Sequence, residues 1–226
     1  MSMKVWLVSH AANAALRAGT FPVAVDTNDA ADPGVAEDGA SEAPEALDAC
    51  ASEAIGAWRA RWLASIGDGA RVVASPAPIA RATARAAVCA PAAAMEIERC
   101  DAIAEAHFGA WQGQRLVDIA RETPAALAAW TRDPAFAPPG GGESFDDLRR
   151  RVAAWLDGLR HPADVGTHAR TEARIVAFTH ASVIRAALLH ALGAPSAGFR
   201  AIEIAPLDVA VLRAGREGWV WVAGVA

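Results

Sequence analysis

Residues 174–193 read RIVAFTHASVIRAALLHALG. An apolar run of strand length ends on His180, a helical pattern starts at once, and Gly193 stops it. The chain opens in the same way: KVWLVSH (4–10) reads as a buried strand ending on His10, with a helix expected over 11–18. Between them lie a helix at about 45–65 with Trp58 and Trp62 on one face, a strand RVVAS (71–75), and an alanine-rich helix reaching about 90. A strand MEIERC (95–100) and helical segments near 114–131 and 145–160 follow, the latter entered from the turn PPGGGES (138–144). The tail, FRAIEIAPLDVAVLRAG and WVWVAGV, reads as antiparallel strands around Gly215–Gly218. Strands alternating with helices predict an α/β three-layer sandwich with a mostly parallel central sheet. Ligands of such sheets gather at the carboxyl ends of the strands, so His10 and His180 are expected to be neighbours at a cleft.

Composition narrows the setting. The 226 residues, 54% of them hydrophobic, suit one domain with a substantial core, interrupted by an acidic loop insertion at about 26–46. A net charge of −5 and no basic stripe argue against a nucleic-acid partner. No apolar run is long enough to span a bilayer, and His10 and Asn13 interrupt the one stretch that imitates a signal peptide. Cys50, Cys89 and Cys100 lack metal-type spacing, which suggests reduced thiols in a cytoplasmic protein. Oligomeric state is left open.

Five segments, in order, resemble the histidine phosphatase superfamily, also called phosphoglycerate mutase-like. They are VWLVSHA, VVASPAPIARATARA, IAEAHFGAWQG, GGESFDDLRRRVAAWL and VAFTHASVIRAALLHALG. The resemblance implies a phosphoglycerate mutase-like fold and a phosphomonoester hydrolase acting on a small phosphorylated metabolite. It implies His10 as nucleophile forming a phosphohistidine, Glu105 as proton donor and His180 as second catalytic histidine. No metal or other cofactor is implied, since cationic side chains serve the phosphate.

Several positions depart from the family pattern. Ser9 stands where the family carries an arginine, Ala11 where it carries a glycine, and Asn13 where it carries a threonine. Ile79 occupies the place of a second arginine, and Arg81, two residues on, is turned roughly 200° away on a helix. Losing two cationic partners predicts the loss of on the order of 4 kcal/mol of transition-state binding, about a thousandfold in rate. Arg17, seven residues after His10, is a candidate replacement cation, whereas Arg185 reads as an anchor. Glu143 and Ser144 are candidate pocket residues near the substrate entrance, with Ser144 also capping the following helix.

Two other chemistries use the same residues. His10, Glu105, His107 and His180 offer nitrogen and oxygen ligands for zinc or iron, but in no compact ligand motif. Ser9 lacks a G-x-S-x-G elbow and points away from His10, which excludes it as a hydrolase nucleophile. Two function classes remain: a divergent phosphatase acting through His10, or a catalytically impaired family member that binds a ligand or partner without turnover.

Overall fold

The computed structural model describes residues 3–23, 47–67, 69–88, 96–160 and 173–223. The acidic insertion expected at 26–46, and Cys89, lie outside them. In chain order the described elements begin with β1 (Met3–Ser9), α1 (Ala14–Arg17), α2 (Ala49–Ile66), β2 (Arg71–Ala74), α3 (Pro78–Val88) and β3 (Ile97–Arg99). Then come α4 (Leu116–Glu122), α5 (Pro124–Trp130), α6 (Phe145–Leu159), β4 (Ala173–Thr179), α7 (Ala181–Ala191), β5 (Val209–Ala214) and β6 (Trp219–Val222).

The six strands form one sheet in the order β3-β2-β4-β1-β5-β6. Its first four members are parallel, and β5 runs against both its neighbours. Period-2 alternation sends successive side chains to opposite faces, and each face has its own helical cover. Val5 and Leu7 of β1 pack with Leu148, Val152 and Leu156 of α6 and with Val183 and Ile184 of α7. Trp6 and Val8 pack on the other face with Ile55, Trp58 and Trp62 of α2 and with Ala84 and Ala87 of α3. The fold is therefore the α/β three-layer arrangement with a mostly parallel sheet.

Three local expectations change. The helix expected over 11–18 shrinks to Ala14–Arg17 because Asn13 is extended and its Oδ1 caps the Leu16 N–H at 2.9 Å. The segment 114–131 splits into α4 and α5 at Thr123, which precedes Pro124 and so leaves the helical region (φ −134°, ψ 56°). Of the tail stretch 199–215 only Val209–Ala214 is strand, with Ser196–Ala201 forming a 3-10 turn, while Trp219–Val222 pairs with it as expected.

Candidate active site

Three adjacent parallel strands, β2, β4 and β1, end side by side, and the residue after each is Ser75, His180 and His10. The strand ladder continues into these residues: His10 N donates to Thr179 O at 2.9 Å and Ser75 N to Phe178 O at 2.9 Å. Glu105 comes from the loop beyond β3, and Glu143 and Arg151 from the approach to α6 and its second turn. These residues line a cavity of about 520 Å³ at the carboxyl end of the parallel strands.

The two histidines are in contact, with ring centroids 5.1 Å apart and planes inclined at 69°. His10 Nδ1 lies 2.8 Å from the Ala11 carbonyl oxygen. A carbonyl can only accept, so Nδ1 carries the hydrogen and Nε2 of the neutral ring keeps its lone pair. Thr83, fully buried on α3, braces this turn: its hydroxyl donates to Ile79 O at 2.7 Å and accepts from Ala11 N at 3.1 Å.

His180 is buried and lies between two polar partners. Its Nε2 is 2.7 Å from Ser75 Oγ, and its Nδ1 is 3.4 Å from Glu105 Oε2. Burial pushes its pKa from the ordinary 6.5 down to about 4, overriding the attraction of Glu105. Glu105 Oε1 accepts from Ala106 N at 2.9 Å and from the Ser182 hydroxyl. Two donors saturate that oxygen, so a proton on this carboxyl sits on Oε2, the oxygen nearer His180.

The depressed pKa carries a stability prediction. Above pH 6.5 the ring is neutral in both folded and unfolded chains. As pH falls from 6.5 towards 4, the unfolded chain binds a proton that the folded chain refuses, and stability declines by on the order of 3 kcal/mol. Below about 4 this contribution changes no further. Urea midpoints at pH 7 and pH 4.5 should therefore differ more in the native protein than in His180→Gln; equal differences would contradict a buried neutral imidazole.

Arg151, which sequence reasoning overlooked, is the one arginine among the described residues that lines the cavity. Its Nε and Nη2 grip Glu143 at 3.1 and 2.8 Å, and its Nη1 donates to the carbonyls of Asp101, Ala102 and Ala104 at 3.0–3.3 Å. It thereby clips the loop carrying Glu105 to α6. Helix phase is the signal that could have found it, because Arg151 flanks the buried stripe Leu148–Val152–Leu156 while Arg150 faces solvent.

Other anticipated pocket residues have varied positions. Asn13, Ile79 and Glu143 line the cavity. Ser9 is buried without lining it, and its backbone holds the Leu207–Asp208 turn. Ser144 does not line it either; its hydroxyl caps α6, accepting from Asp147 N at 3.1 Å and donating to Asp147 Oδ2 at 2.6 Å. Arg17 does not line the cavity and is turned outward into an ion pair with Asp48. Arg81 is also absent from the lining, and Arg185 anchors α7 through Nε to Ile202 O at 2.7 Å. His107 is turned to Gly109 N and Gln112, and among the described residues no three His, Cys, Asp or Glu side chains gather as a metal site.

A family model described as histidine phosphatase superfamily (branch 1) matches residues 47–225. The chain belongs to this superfamily. The matched span contains Ser75, Glu105, Arg151 and His180, and His10 precedes it. The chain is 39% identical over 100 residues to the bifunctional protein Rv2228c of Mycobacterium tuberculosis, covering 44% of the chain and 27% of that relative. It is 30% identical over 91 residues to a glucosyl-3-phosphoglycerate phosphatase of Mycolicibacterium vanbaalenii, covering 40% of each. The chain thus matches well under half the length of these curated relatives. Among solved structures, the alpha-ribazole phosphatase of Shigella flexneri superposes with a TM-score of 0.73 at 18% identity, covering 99% of this chain and 96% of that one. The mycobacterial glucosyl-3-phosphoglycerate phosphatase Rv2419c gives 0.73 at 19% identity, covering all of both chains. Likeness at such identities concerns the fold. No helix among the described residues is long and apolar enough to cross a membrane.

Proposed function

We propose that this superfamily member hydrolyses a small phosphomonoester through a phosphohistidine on His10. The observation that carries the reading is the His10 Nδ1–Ala11 carbonyl bond, which leaves Nε2 as a nucleophile in a cavity shared with Glu105 and His180. Nε2 attacks phosphorus in line, the P–O bond to the leaving group breaks, and the departing alkoxide takes the proton from Glu105 Oε2. The Glu105 carboxylate then takes a proton from water as that water attacks the phosphoryl group, breaking the P–N bond and releasing phosphate. Ser75 and Glu105 between them hold the His180 ring in place beside His10.

On this reading Ser9 and Ile79 stand where the family carries arginines, and Arg151 does not replace them because its guanidinium is already committed to Glu143 and three carbonyls. Turnover of ordinary phosphomonoesters is then about a thousandfold slower than with both cations present. The same commitment, together with Ile79 at the cavity wall, favours a second reading in which the pocket binds without turnover. Acid-labile, base-stable phosphoryl label on the protein during incubation with an aryl phosphate separates the two. Label that is lost in His10→Ala, with turnover indifferent to chelator, is the expected result. No label and no turnover above the His10→Ala background would sink hydrolysis and leave binding.

A further inference from the structure

The cavity rim has a character that the reaction at His10 does not require. Leu16 and Val23 line it while remaining 49% and 60% exposed, and Ala15 and Pro22 lie beside them. Single exposed apolar side chains are ordinary, but two large ones flanked by Ala15 and Pro22 at a cavity mouth make a contiguous apolar patch of the kind that meets a ligand. This rim is also held in place. Phe21, between Thr20 and Pro22, is buried against Phe108 at 4.8 Å and Trp130 at 5.5 Å between ring centroids. Its N–H donates to Gln114 O at 2.9 Å, and its carbonyl accepts from Gly113 N at 3.0 Å. At the other end, Asn13 caps α1 and Arg17 is tied to Asp48. The wall is preformed and needs little ordering on ligand entry.

Charge points the same way. The apolar rim carries no ionisable group, while the other lining segments present the carboxylates of Asp101, Glu105 and Glu143, with Arg151 already gripping Glu143, and the imidazoles of His10, His180 and His107, the last turned to Gly109 N and Gln112. A second carboxylate or phosphate on the ligand would meet these carboxylates and no uncommitted guanidinium among the lining residues. We infer that the site selects phosphomonoesters whose leaving group is a large, uncharged, apolar alcohol, held on Leu16, Pro22 and Val23, over esters bearing carboxylate or polyol groups. The inference rests on the reading of His10 as the phosphoryl-binding end of the cavity.

The test compares 1-naphthyl phosphate with glycerol phosphate and a phosphoglycerate, by calorimetric binding to His10→Ala and by kcat/KM in the native protein. Naphthyl phosphate is expected to bind at least about tenfold more tightly than either, the discrimination an apolar wall of this size supplies. The double variant Leu16→Ser/Val23→Ser, at two exposed positions, should erase most of that preference. Equal binding of all three, binding of none, or a preference unmoved by the double variant would overturn the inference. Discrimination in binding without phosphohistidine or turnover would remove hydrolysis alone; turnover with flat preference would remove the apolar specificity alone.

Discussion

Ile79→Arg is expected to raise kcat/KM for a small phosphomonoester by about thirtyfold, the share of one charge-assisted donor in the roughly thousandfold that two would supply. Ile79 sits in the first turn of α3, is 5% exposed, and lines the cavity that also holds His10. Its carbonyl is fixed by the Thr83 hydroxyl, so the backbone of that turn is braced and a longer side chain starts from a defined point. A guanidinium there can bond two phosphoryl oxygens at once, in a site where Arg151 is spent on Glu143. The gain should appear chiefly in kcat if the new bonds tighten in the transition state. Ile79→Met, which keeps the size and adds no charge, should leave the rate unchanged. A folded Ile79→Arg protein with no gain would mean that the phosphoryl group does not bind beside this turn.

Phe178→Ala should cost about 3–5 kcal/mol of stability, read as a lowered urea midpoint at pH 7. Phe178 is fully buried in β4, registered against Val8 of β1 and Ala74 of β2, and its ring meets Trp58 of α2 at 5.6 Å between centroids. Truncation opens a cavity where sheet and helical layer meet, two residues before His180. Phe178→Leu, retaining most of the volume, should lose less than half as much. A loss below about 1 kcal/mol for the alanine variant would contradict the packed layer between β4 and α2.

How far the sequence carried the reading varies from residue to residue. His10 and His180 were predicted to meet because each closes an apolar run before a helix, and parallel strands of equal sense must end on the same edge of a sheet. Ser75 closes β2 in the same manner, but a short polar side chain after a four-residue strand gives no hint that it will bond His180. Arg17 lies off the face expected from its spacing to His10, because three non-helical residues separate His10 from α1 and the side chain turns to Asp48. Arg151 hid within three consecutive arginines, one ending on solvent-facing Asp147, one on Ser196 and the Leu189 carbonyl, and one in the cavity. Their separation requires helix phase together with the position of the loop that α6 faces.

The place of β1 in the sheet has a consequence for biosynthesis. This strand is made long before its two neighbours, β4 and β5, which belong to residues 173–214, and Met3 registers with Ala173. A ribosome adding roughly 5–20 residues per second takes on the order of ten to thirty seconds to cover that interval. Throughout it the segment Val5-Trp6-Leu7-Val8, wholly buried in the finished protein, has neither partner. The cleft at His10 cannot close until β4, more than 160 residues further along, has been made and paired with β1.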